Sequence, residues 1–182
     1  WYALVHAPIP IKKAMQIPKA KMSLDKEWDK LQNKKKAWDF MTVLPKAEVI
    51  AKAKREHRKV QFGQMMELCH EKHAERKMPG PTYKGRLVFR GDQVRDENGF
   101  YAVFSERGTS ASSMAAAKML DVLSRVPGNK GEDSDAVGAY TQVTLREAHL
   151  LLGGTPDDFI ETWISFENMP WRRPKHWDGI KN

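Results

Sequence analysis

A single cysteine, Cys69, stands among 182 residues, so no disulfide can form within the chain, and one free thiol suits a reducing compartment. Long apolar runs are missing as well. None approaches a membrane span, and the first residues lack the pattern of a secretory signal. These absences predict an intracellular chain, cytoplasmic or nuclear or both, with no membrane partner. No internal repeat and no low-complexity segment is present. The sequence opens on Trp1 rather than methionine, as expected of a piece of something longer.

What is present is charge, unevenly spread. The net charge is +8. Residues 1–90 carry 21 Lys and Arg against 9 Asp and Glu, a balance of +12, while residues 91–182 carry 10 against 14, a balance of −4. A basic front half beside an acidic-leaning back half suits a surface that follows phosphates next to a site that holds cations. Runs such as Lys34-Lys35-Lys36 also fit a plain solvated helix face. Hydrophobic residues make up 41% of the chain, enough for one domain with a modest core, or one domain with an appended arm.

Taken in order, residues 1–22 contain Pro8, Pro10 and Pro18 without periodicity and read as an irregular arm. Ser23 is an N-cap candidate for a helix over about Leu24 to Lys36. Trp38 to Val43 reads as a short extended segment closed by Pro45. Trp28 and Trp38 are assigned to the core, the usual place of an indole. Ala47 to His57 predicts a second helix, and Lys59 to Gly63 alternates like a strand. Met65 to Cys69 either continues that strand or forms a short helix before Pro79-Gly80-Pro81. Cys69, His70 and His73, with His57, have ligand chemistry, but the second pair of regularly spaced ligands that a zinc site needs is lacking. A hairpin is expected around Asp96-Glu97-Asn98-Gly99. The clearest helix lies over about Ser113 to Val126, with an apolar stripe that includes Met119, Leu120 and Leu123, expected to pack beneath the strand that follows. Leu145 to Leu152 reads as a short helix or turn, and Phe159 to Phe166 as a strand.

Two stretches carry chemistry. Tyr83 to Gly91 is the clearest strand, and its period of two places Lys84, Arg86 and Arg90 on one side, opposite Tyr83, Gly85, Leu87 and Phe89. Three cations on one strand face repel unless an anion lies across them, and a phosphate chain would answer that. The pattern also fits an ordinary exposed basic strand. The second stretch is Ser134-Asp135-Ala136-Val137-Gly138-Ala139-Tyr140. A carboxylate at a strand end with small residues behind it can hold a divalent metal near a backbone that a substrate must approach, although an exposed surface aspartate fits it too.

These residues bring in a family. Tyr83-Lys84-Gly85-Arg86-Leu87-Val88-Phe89-Arg90-Gly91 resembles the Y-K-A-R-L-V-A-K/R-G run of copia-type retrotransposon reverse transcriptases. Asp135 to Tyr140 is similar to that family's D-V-x-x-A-F/Y motif, the first catalytic motif of the polymerase palm. Glu27 to Leu31 with Trp38 and Leu44-Pro45 resembles its lead-in, and Thr162-Trp163-Ile164 its E-V-Y-M strand. The likeness runs in order over about residues 20–171. Gly85 in place of the usual alanine, Val143 in place of a glycine, and a long segment from Ala47 to Thr82 depart from it. The second catalytic motif, Y-V-D-D, does not occur; Asp157-Asp158 follows Thr155-Pro156 and lies too near Asp135 to be it.

The resemblance implies an α+β fold, an incomplete polymerase fingers and palm with an antiparallel sheet packed with helices. Its domains are an arm over 1–22, a partial reverse transcriptase domain over 23–171 (fingers about 23–110, first part of the palm about 111–171) and a tail over 172–182. It further implies part of an RNA-directed DNA polymerase that uses Mg²⁺, with Asp135 as the first metal-binding carboxylate. Lys84 and Arg86 would hold the incoming triphosphate, with Arg90 either helping or touching template phosphate, and Ala139 and Tyr140 beside the nucleotide. The implied partners are an RNA or DNA template-primer, a dNTP and the remainder of a polyprotein (rest of the palm, thumb and RNase H). One carboxylate does not make a two-metal site, so the segment by itself is expected to be inactive. The alternative is a non-enzymatic nucleic-acid-binding relic of a transposable element.

Overall fold

The computed structural model describes residues 6–75, 80–102, 113–132, 141–177 and 180. The chain divides into two compact units, one formed by residues 1–102 and 141–182, the other by residues 103–140.

The first unit is built on one long strand. The alternation seen from Lys59 does not stop at Gly63 but runs on, giving β2 over Val60–Lys72. Its far half has neighbours on both edges: β1 (His6–Ile9) and β3 (Thr82–Phe89), both antiparallel. Its near half is flanked by β4 (Arg95–Asp96), antiparallel, and β5 (Glu161–Ser165). Strand β5 runs parallel to β2, with Val60 opposite Glu161 and Gln64 opposite Ser165. The sheet is thus antiparallel over four strands, and the fifth joins in parallel after a long excursion of the chain.

The N-terminal arm is not irregular. Besides β1 it holds a helical turn, α1 (Ile11–Ala14), and the start of helix α2 (Pro18–Asp29). Proline suits the first helical position, where its missing N–H would go unpaired anyway, so the helix begins five residues before the expected Ser23. It runs on through a wider π-helical turn over Lys30–Lys34, is capped by Lys35, and the chain turns away at Lys36, which has a φ of 48°. Freed from capping, Ser23 turns its hydroxyl to the sheet. It donates to the Tyr83 carbonyl (3.1 Å) and accepts from the Gly85 N–H (2.7 Å). Helix and strand are close here because Gly85 has no side chain: a Cβ there would lie 2.8 Å from the Cα and N of Leu24.

Three apolar clusters hold the unit together. Ala14, Ala20, Leu24 and Cys69 close the helix α2 side of the sheet. Met65 and Leu87 meet Phe166, Met169 and Trp177, with Trp28, Trp38 and Phe40 packed against them. Phe40 and Trp177 lie 4.6 Å apart between ring centroids, and Trp28 and Trp38 5.5 Å. Both tryptophans are therefore core residues, as expected, although Trp38 to Val43 is irregular rather than extended. Helix α3 (Lys46–Arg55) covers the opposite face of the sheet at its near end, burying Val49 and Ala53 against Val60, with Phe62 and Trp163 beside them.

The expected hairpin turn forms. One carboxylate oxygen of Asp96 accepts from the N–H groups of Asn98 and Phe100 (2.9 Å each), Gly99 takes a φ of 87°, and Arg95 pairs with Tyr101 across the turn. Helix α5 (Leu145–Leu151) opens with a capping box between Thr144 and Glu147. Beyond it Asp158 accepts from the N–H and hydroxyl of Thr155 and lies 2.7 Å from His149 Nε2. The bonds from His149 first, then from Thr155, pull its carboxyl down to about 2. A carboxyl held below its ordinary range adds stability that is complete above about pH 4 and is lost as pH falls through about 2. Asp158→Asn should therefore remove one acid-sensitive step from urea unfolding between those pH values. An unchanged pH profile would show that the bonds add nothing to stability.

In the second unit, helix α4 (Met114–Ser124) starts at Ser113, whose side chain accepts from Ala116 N–H, and Pro127-Gly128 follows its end. Its boundaries match the expected helix. Met119, Leu120 and Val122 are each about two-thirds exposed; the strand beneath which this stripe is expected to pack lies outside the described residues.

Candidate nucleic-acid interface

The alternation of β2 and β3 sorts charge by face. Opposite residues of an antiparallel pair point the same way. The face under helix α2 therefore presents Gly63, Met65, Glu67, Cys69 and Glu71 from β2, Gly85, Leu87 and Phe89 from β3, and Ile9 from β1. It carries both glutamates of β2 and no cation. The other face presents Met66, Leu68, His70 and Lys72 from β2, Lys84, Arg86 and Val88 from β3, and His6 and Pro8 from β1. It carries cations and imidazoles and no carboxylate.

These residues lie in rows. Lys84 is opposite His70, Arg86 opposite Leu68, and His6 opposite Lys72, whose other neighbour is Thr82. Paired Cβ atoms lie about 5 Å apart and same-face neighbours along a strand about 7 Å. Met66, Leu68 and Val88 stand outside all three core clusters and are half-buried, as is His70, and Arg86 is exposed. The result is an open strip of sheet with a shallow apolar floor and a cationic end. At the near end it meets α3, whose Lys52, Lys54 and Arg55 are exposed and whose Lys46 lies over the Phe62 ring (5.0 Å to the centroid).

Of the residues expected to form a site, Lys84 and Arg86 are here, side by side on β3. Arg90 lies just past the strand end; its backbone N–H reaches the Gln64 carbonyl, and its guanidinium pairs with Asp92 at 3.1 Å. That contact, then Gln93, holds the Asp92 carboxyl below its usual range. Arg90 is thus engaged with its own turn. Asp135, Ala139 and Tyr140 lie outside the described residues. Cys69 is no ligand partner of His70, since adjacent strand residues point to opposite faces. Burial, then the Glu67 charge, pushes its thiol up. Among the described residues no three His, Cys, Asp or Glu side chains come together as a metal site. His6, His70 and Lys72 were missed as members of the face. His70 and Lys72 share the face of Met66 and Leu68, which is legible only once the strand is taken to its full length, and His6 joins them only through the pairing of β1 with β2.

The covered face holds the buried charges. Glu67, with its side chain 2% exposed, accepts from Arg172 Nε (2.7 Å) and from Trp171 Nε1 (2.9 Å). Arg172 Nη2 lies 2.6 Å from the same carboxylate oxygen, off line for a second hydrogen bond. Its Nη1 bonds Asp25 of α2 at 2.6 Å, and the guanidinium stands 5.1 Å from the Trp28 ring centroid. Burial raises the Asp25 carboxyl, but Lys21 and Arg172 outweigh that and hold it below its ordinary value. Arg172 was expected in a tail; it instead neutralises the charge beneath the sheet. The Glu67 charge behind the open face is thus neutralised in place.

No helix among the described residues is long and apolar enough to cross a membrane. Comparison with protein-family models, curated proteins and solved structures gave no match.

Proposed function

We propose that the chain binds the sugar-phosphate backbone of nucleic acid on the open face of β1, β2 and β3. In this proposal it does so as the fingers and first part of the palm of an RNA-directed DNA polymerase of the copia type. The observation that carries the reading is the sorting of charge: three permanent cations and two imidazoles on the open face, both β2 glutamates on the covered one. Lys84 and Arg86 are same-face neighbours along β3 and Lys72 is diagonal to Lys84, about 7 Å apart in each case, and a phosphate chain laid along them relieves their repulsion. Lys84 and Arg86 belong to the run that resembles the reverse transcriptase motif; the resemblance implies the incoming triphosphate as their anion, and the proposal extends the same phosphate chemistry to the nucleic-acid backbone.

Within this proposal Asp135 supplies one oxygen ligand toward Mg²⁺, and template-primer and dNTP are the substrates. Two-metal transfer needs further carboxylates, so the 182-residue chain is expected to bind without extending a primer. Undiminished DNA synthesis by a longer polyprotein carrying Asp135→Asn would remove Asp135 from that role.

The interface is tested by fluorescence anisotropy with a labelled primer-template over a salt series. Lys84→Gln and Arg86→Gln are each expected to weaken binding and to lower the log–log salt slope by about one, the signature of a lost phosphate contact. Unchanged slopes in both variants would refute the placement of the backbone on this face.

A further inference from the structure

We propose that the open face takes up protons at His70 and His6 when a phosphate chain binds, so that its affinity for nucleic acid rises as pH falls. This rests on the nucleic-acid reading above and adds a property of the same face.

Each imidazole has a permanent cation directly opposite it. His70 faces Lys84 on β3 and Pro8 on β1, with Leu68 and Lys72 as its same-face neighbours on β2 and Arg86 and Thr82 diagonal to it. His6 faces Lys72 across the pairing of β1 with β2. No carboxylate of these three strands shares their face: Glu67 and Glu71 point to the other side. Beyond the end of β2, His73 and Glu75 lie 3.8 Å apart, and Glu75 is engaged there.

Without a polyanion, each added charge on this face meets Lys72, Lys84 or Arg86, with no carboxylate of the three strands beside it. With a phosphate chain across the rows, the protonated imidazoles gain the partners that the sheet itself withholds. Histidine is the side chain suited to such a change near neutral pH. Ligand and proton then bind together, and each favours the other by the same factor. Permanent cations stand beside both imidazoles, so protonation tunes the affinity and does not create it.

The test is isothermal titration of the full chain with an oligothymidylate, in two buffers of different ionisation enthalpy, with affinity measured between about pH 6 and pH 8. The apparent enthalpy should differ between buffers in the direction of proton uptake. The affinity should fall by as much as about tenfold per pH unit for each proton taken up. His70→Gln with His6→Gln should keep the fold, checked by circular dichroism, and lose most of the buffer dependence and of the fall in affinity between about pH 6 and pH 8. Buffer-independent enthalpy, or uptake undiminished in the double variant, would overturn the inference. No binding at any pH, even in low salt, would instead overturn the nucleic-acid reading on which it rests.

Discussion

Arg172→Met is expected to destabilise the chain by about 3–5 kcal/mol, the range for breaking a buried ion pair by removing one partner. Arg172 is 10% exposed and holds two carboxylates at once, Glu67 beneath the sheet and Asp25 on α2. Once it is gone, Glu67 keeps only the Trp171 N–H, and its charge stays buried against Met65 and Leu87. Urea unfolding of the variant measures the loss. Joining Glu67→Met to Arg172→Met should recover much of it, because a buried pair replaced by apolar side chains of similar size is often neutral. A single-variant loss below about 1 kcal/mol would mean that solvent reaches the pair and that the segment around residue 172 is not fixed to the sheet.

Gly85→Ala is expected to lose about 1–3 kcal/mol or more, as overpacking of a tight contact does. The added Cβ would come within 2.8 Å of Leu24 Cα, Leu24 N and the Ser23 carbonyl oxygen. These are backbone atoms, so relief requires α2 to move off β3, which stretches the Ser23 bonds to Gly85 and Tyr83. The same shift opens the cluster of Ala14, Ala20, Leu24 and Cys69. The prediction reads on a departure: reverse transcriptases of the resembled type carry alanine at this place in the run. A neutral Gly85→Ala in thermal unfolding would show that helix and strand stand farther apart in solution.

Several elements were legible because local chemistry settled them. The cap at Ser113 and the break at Pro127-Gly128 bounded one helix, and the Asp96 to Gly99 turn came with its own acceptor and a glycine for its positive φ. Strand β3 followed from alternation alone. Elements whose reason lies far away in sequence were misjudged. Prolines made residues 1–22 look irregular, although Pro18 starts a helix and β1 forms because β2 offers it an edge. Ser23 has every local mark of a cap, yet its partners sit 60 and 62 residues away.

The sequence by itself determined the strand that carries Lys84 and Arg86, because a period of two decides which side chains share a face. It also determined the basic excess of the first half, which needs no fold to be counted. Tertiary structure decided which face is open. Helix α2 could have lain on either side of the sheet; the contact through Gly85 and the buried pairing of Arg172 with Glu67 place it over the glutamates. Burial is affordable for a carboxylate with a guanidinium against it, and a row of cations without partners has to stay in water.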